Sequence, residues 1–547
     1  MQKYLFLLAL MLVFQCKDSE TKTESTQTET NETTSSSDDF REFLVLDSKH
    51  ITNDFIWKDI NAQMADFSEV DYNRLKPLII EQDIPSMQKK ISDGKFNYEQ
   101  LTKFYLYRIR KYDRENDLSL NAVIFINPNL IEEAKQKDRE FLNKKLKHPI
   151  FGMPILLKDN INAANMVTTA GAVALMENQT DDAFIVTKLK ENGALILGKA
   201  NLSEWAYYFC EGCPSGYSAV GGQTLNPYGR RKFDTGGSSS GSGVAAAANF
   251  AAATIGSETS GSILSPASQN SVVGLKPTIG LVSRSGIVPI SSTLDTAGPI
   301  TRNVIDNAIV LDAIFGEDTS DPKSIYALWQ SGFYHKDLNN VSLKGKRFGV
   351  PQRDRFLQDT LFLRALDVLK AQGAELVDVT EEDLKLSNFL RLLNLDMKKD
   401  LPKYIENYAS DKVEIKNVED VVNFNLQDSI LRMPYGQELL IGIVADTGDA
   451  QFLERIKDTL HSNGKQFFDK PMKTLNLDGF LSINNYHAGF AAVAEYPAIT
   501  VPMGSTEEGK PRGLTIITSR LGEKQLLEWA YAYEQASKER IPPKNYN

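Results

Sequence analysis

Cysteine is nearly missing from this chain: three residues in 547 are too few for a disulfide scaffold. Histidine is scarce too, at five, and no His-Glu-x-x-His pair occurs, which leaves little from which to build a metal site. There is no basic excess. Lys and Arg number 61 against 71 Asp and Glu, a net charge of −10, which argues against neutralising a nucleic-acid backbone. No repeat of 20–50 residues is visible, which argues against a solenoid or propeller. What the chain does have is 42% hydrophobic residues, enough for a large core. It reads as soluble, globular and independent of zinc.

The first forty residues stand apart. Lys3 precedes an apolar run over residues 4–14, and Gln15-Cys16 follow. Eleven apolar residues fall short of the about 20 that span a bilayer. A positive start, a short apolar stretch and a processing point read as a secretory signal over residues 1–15. Cys16 then resembles the lipid-modified cysteine of a bacterial lipoprotein, although Gln15 stands where a small residue is usual. Plain secretion is the runner-up, and a buried apolar N-terminus comes third. Residues 17–39 hold 12 Ser or Thr and seven acids against two lysines, a net charge of −5, with no apolar residue. Such a stretch cannot offset its ordering entropy, so residues 16–40 read as a lipidated, disordered tether.

After an N-terminal extension over 41–74, the chain alternates helical and strand-like pieces through 75–540. Helical spacing marks residues 104–112, 131–146, 184–192, 361–371 and 525–537. An Ala-rich helix is expected over 244–253, with a small-residue turn over 256–262. Strands are expected at 122–126, 155–157, 194–197, 347–350, 374–379, 479–483, 498–501 and 514–517. No Pro- or Ser-rich linker interrupts the region. The pattern argues for one large α/β domain, a twisted mixed sheet surrounded by helices.

The Gly/Ser run over 235–243 is the most informative stretch. A flexible linker is the plain reading of that composition, yet the run is short and enters an apolar helix directly. It lacks the Gly-Lys-Ser/Thr ending of a phosphate loop. Gly237-Ser238-Ser239-Ser240-Gly241 matches the nucleophile elbow of α/β-hydrolases, which would make Ser239 the nucleophile, but only a weak strand precedes it.

Taken together, three blocks resemble the amidase signature family: Gly236-Gly237-Ser238-Ser239, residues 256–263 (GSETSGSI), and Gly274-Leu275-Lys276-Pro277-Thr278. Residues 152–160 (GMPILLKDN) are similar to that family's lysine loop, and 198–204, 221–228, 497–504 and 531–536 match in the same register. The resemblance implies a Ser–cis-Ser–Lys triad. Ser262 falls on the nucleophile, Ser238 on the bridging serine preceded by a cis peptide, and Lys158 on the base. The chemistry is coherent, because a serine hydroxyl needs a neighbour to take its proton and Ser-Lys pairs serve as alternatives to Ser-His-Asp. A lysine acts as a base only where burial favours its neutral form. Small residues before Ser262 would let the N–H groups of Thr259, Ser260, Gly261 and Ser262 converge as an oxyanion hole.

Departures from the family pattern matter too. Glu258 keeps an acid four residues before the nucleophile, Leu264 replaces a common arginine two after it, and Ser240 replaces a frequent glycine. These features look closer to the peptide amidase branch than to the glutamine-amidotransferase branch. Cys210-Glu211-Gly212-Cys213 reads as a local disulfide or two structural thiols, since no further zinc ligands are evident. Among the histidines, His487 is the one to follow. The resemblance implies hydrolysis of a peptide, aliphatic or aryl carboxamide without metal or cofactor, and the N-terminal segment implies an exported enzyme that meets the membrane only through its lipid. A glutaminase subunit and a catalytically silent surface binding protein are the alternatives.

Overall fold

The computed structural model describes residues 43–142, 148–325 and 333–546. The signal segment, Cys16 and the tether lie outside the described residues.

An eleven-stranded mixed sheet organises the chain. In chain order its strands are β1 Val123–Ile126, β2 Pro154–Lys158, β3 Leu195–Ala200, β4 Ala253–Glu258, β5 Val273–Lys276 and β6 Thr296–Thr301. They continue with β7 Arg347–Pro351, β8 Glu375–Val379, β9 Gly479–Ile483, β10 Ala498–Ser505 and β11 Pro511–Ile517. Across the sheet the order is β1-β3-β2-β4-β6-β5-β10-β11-β9-β7-β8. β2 runs parallel to both its neighbours, β3 and β4. A strand covered on both faces needs no polar alternation, which is why Ile155, Leu156 and Leu157 follow one another. Each expected strand forms, usually within one or two residues of the limits set by the sequence.

One expectation needs correction. The Ala-rich helix spans Ser240–Ala247, not 244–253, and Ala253–Glu258 is a strand, so the turn after it begins only at Thr259. Asn249 takes a left-handed φ of 56° and reverses the chain between them. Alanine's helix propensity hides the strand in the sequence. Ladder pairing to β2 and β6 overrides it.

All eight residues of helix Ser240–Ala247 are buried, and it packs on β2, β3, β4 and β6. Glycine permits that approach: a Cβ on Gly241 would lie 2.5 Å from the Asn201 carbonyl oxygen and 2.6 Å from that of Ala122. Residues read as an N-terminal extension join the same core through Ile56, Trp57, Ile60, Met64 and Tyr72. Helix Glu69–Ile79 runs through residue 75. A second apolar cluster joins Trp205, Tyr208 and Phe209 to the helices Phe389–Tyr408, Val418–Leu426, Glu438–Ala445 and Ala450–Thr474.

β3 carries the register of the lysine strand. Its pairing with β2 steps from Ile155–Ile196 to Leu156–Gly198, one extra residue on β3. A Cβ on Gly198 would sit 2.1 Å from the Phe125 carbonyl oxygen of β1. Gly198→Ala is therefore expected to push β3 off β1, destabilise the protein by about 1–3 kcal/mol and lower its melting temperature. Thermal unfolding followed by circular dichroism checks this.

Candidate active site

Lys158 is the last residue of β2, and its whole side chain is buried. Its Nζ lies 2.7 Å from Ser238 Oγ, 2.9 Å from Ser257 Oγ and 3.1 Å from the Ser257 carbonyl oxygen. Among the described residues no carboxylate forms an ion pair with it. Burial pushes the amine down to about 7 from its ordinary value, opposed by the charges of Asp295 and Glu258. The neighbouring Asp159 is instead engaged with Lys199, at 3.5 Å, and with Thr169.

Ser238 follows a cis peptide, Gly237–Ser238, as the family resemblance implies. Its carbonyl accepts the Ser203 N–H at 3.0 Å, which ties the Gly/Ser loop to the end of β3. Ser239 is not an exposed elbow nucleophile. It is buried, and its Oγ donates to the Ser257 carbonyl at 3.0 Å. The Ser239 N–H donates to the Ser262 carbonyl at 3.2 Å, so the two serine loops are laced to each other. Ser262 keeps 8% of its surface accessible, whereas Lys158 and Ser238 keep none.

The loop after β4 is shaped for its task. Gly261 has a φ of 85°, and a Cβ there would meet Asn485 Nδ2 at 3.0 Å. The N–H groups of Thr259, Ser260, Gly261 and Ser262 make no hydrogen bond to another described residue. Glu258 Oε2 accepts the N–H groups of Ile263 at 2.8 Å and Leu264 at 3.1 Å, fixing the turn that presents Ser262. Leu264, where relatives often carry arginine, is a core residue packed among Phe467, Phe468 and Phe480.

Every residue assigned from the sequence therefore falls in one neighbourhood, on β2, the Gly/Ser loop and the loop after β4. Three functional neighbours were not assigned. Asn160 donates its amide to Ser257 Oγ at 2.9 Å, and Ser257 in turn holds Lys158. Both lie inside quoted motifs, but their pairing spans 97 residues. Asp295, which accepts the Thr259 hydroxyl at 2.5 Å, carried no sequence signal at all.

The features set aside fall outside this network. Cys210 and Cys213 form a disulfide within the second apolar cluster. His487 is buried between Ser482 Oγ and Glu381 Oε1, each 2.8 Å from a ring nitrogen, and Arg353 pairs with that same glutamate. Among the described residues no three His, Cys, Asp or Glu side chains are grouped to hold a metal.

Comparison with known proteins agrees with this geometry. The family described as Amidase matches residues 100–439. A probable amidase of Arabidopsis thaliana is 36% identical over 485 residues, covering 85% of this chain and 92% of the relative. An amidase family protein from Bacillus anthracis superposes with a TM-score of 0.86 at 38% identity, over 91% of this chain and 99% of that one. The native peptide amidase from Stenotrophomonas maltophilia gives 0.81 at 39% identity, over 85% and 98%. With the loops, the buried lysine and these likenesses in agreement, the chain belongs to the amidase signature family and is an amide hydrolase.

Proposed function

We propose that the protein hydrolyses carboxamides, peptide C-terminal amides foremost, through an ester on Ser262, with Lys158 as base and Ser238 as relay. The observation that carries this is the 2.7 Å contact between Ser238 Oγ and a fully buried Lys158 amine. A neutral amine has two N–H groups and one lone pair. The Ser257 carbonyl and Ser257 Oγ take the N–H groups, which leaves the lone pair for the Ser238 hydroxyl. As Ser262 attacks the amide carbon, its proton passes to Ser238 Oγ while that of Ser238 passes to Lys158. The oxyanion is met by the unengaged N–H groups of the loop at Gly261 and Ser262. The same path in reverse protonates the leaving ammonia or amine, and water then hydrolyses the ester. The 39% identity to a peptide amidase favours this branch over a glutaminase subunit.

Ammonia release from a C-terminally amidated peptide, with glutamine and an anilide alongside, tests the reading. Ser262→Ala and Lys158→Ala are each expected to lose at least about 10³-fold in kcat/KM. Release that survives in both variants sinks the triad.

The pH profile gives an independent check. The base is competent only when unprotonated, so kcat/KM is expected to climb as pH rises through about 7. Activity rising on acidification contradicts the assignment of Lys158.

We further place the enzyme in the cell envelope, exported and anchored at Cys16, on the strength of the N-terminal sequence. The wild-type protein expressed in a bacterial host is then expected to partition into detergent phase and Cys16→Ser into the aqueous phase. Equal partitioning of the two rejects the anchor.

A further inference from the structure

Asp295 lies half-buried one residue before β6, and it serves two loops at once. Oδ1 accepts the Thr259 hydroxyl at 2.5 Å, and Oδ2 accepts the N–H groups of Ile290 at 2.8 Å and Ser291 at 2.9 Å. Thr259 opens the loop that ends in Ser262. The same carboxylate borders a chamber of about 10 Å³ lined also by Asn160, Ser257 and Thr259, room for about one water. On another side Asp295 faces a cavity of about 680 Å³, whose lining includes none of Lys158, Ser238 and Ser262. Asp295 thus stands between a solvent-sized space and the residues that hold the amine.

We propose that Asp295 is a positioning residue for the reaction: through Thr259 it holds the nucleophile loop, and its charge steadies the ammonium formed when Lys158 takes a proton. This rests on the lysine-base reading above. Two anions act on Lys158, Asp295 first and Glu258 second. Glu258 is committed through Oε2 to the Ile263 and Leu264 N–H groups. The adjacent Asp159 is engaged with Lys199. Facing Asp295 itself, Arg284 is held by Asp321 across the cavity wall. Burial raises the Asp295 carboxyl to about 6. The two groups therefore titrate close together, with Asp295 below Lys158.

The test is the dependence of kcat/KM on pH for ammonia release from an amidated peptide, in the full chain. Asp295→Asn removes the charge and keeps the size. The midpoint of the ascending limb near pH 7 is expected to fall by about one pH unit, with a lower plateau, and Asp295→Glu to bring the midpoint back. Thr259→Val cuts the hydroxyl contact but leaves the charge, so kcat is expected to fall with the midpoint in place. A merely structural role would lower the plateau in all these variants and move no midpoint, and a stationary midpoint in Asp295→Asn overturns the proposal. If the Asn variant does not fold, Asp295→Ser, which also removes the charge, is read in its place: a midpoint lowered by about one pH unit supports the proposal and a stationary midpoint overturns it. A wild-type profile with no such ascending limb, or full activity in Lys158→Ala, overturns the lysine-base reading and this proposal with it.

Discussion

The site depends on one constraint, a lysine amine sealed inside the sheet with no carboxylate of the described residues paired to it. In water an ammonium is strongly solvated. At the end of β2 that solvation is replaced by one serine hydroxyl and the two oxygens of Ser257. Those three oxygens can accept all the N–H groups of an ammonium, so it is the lost hydration that favours the neutral amine. Lys199 and Lys276 are also buried, and burial lowers both to about 8, yet Lys199 has Asp159 beside it. Burial makes a neutral lysine available; the neighbours decide whether its lone pair has work.

The architecture follows from that requirement. A buried amine needs a strand covered on both faces, and β2 has parallel neighbours on each side. Close approach of the serine loops needs small side chains, and the helix they lead into carries nothing larger than valine. The turn that carries Ser262 needs a left-handed residue at Gly261 and an anchor beyond it, which Glu258 supplies. The second apolar cluster borders this centre through Val288 and Ile290, which line the small chamber beside Ser257 and Thr259. A further approach lies at Gly489, where an added Cβ would meet Leu386 at 3.0 Å and Ser260 Oγ at 3.8 Å.

Eight of the eleven strands, and the shared neighbourhood of Lys158, Ser238 and Ser262, were legible because each rests on a local pattern, whereas β4, β5 and β6 were not read. An apolar run ending in Lys-Asp-Asn marks β2, and Gly/Ser blocks at fixed spacing mark the two serine loops. What stayed hidden is whatever depends on contact between distant segments. Ser257 looks like a spacer in its motif until Lys158 and Asn160 arrive from about a hundred residues away. Asp295 sits in an ordinary Leu-Asp-Thr stretch and gains its meaning from Thr259, 36 residues earlier. Ala253 was misread for the opposite reason, since its local preference is helical and only sheet pairing makes it a strand.

The helix Ser240–Ala247 has a consequence for how this enzyme tolerates change. Its eight residues touch the carbonyls of two strand ends and the backbone of Pro266, with a Cβ on Gly243 only 2.9 Å from the Pro266 oxygen. A combinatorial library randomised over 236–247 would return little but glycine, alanine and serine. Engineering of this amidase has its room in the helical layer built from residues 389–474, where large side chains meet one another rather than backbone.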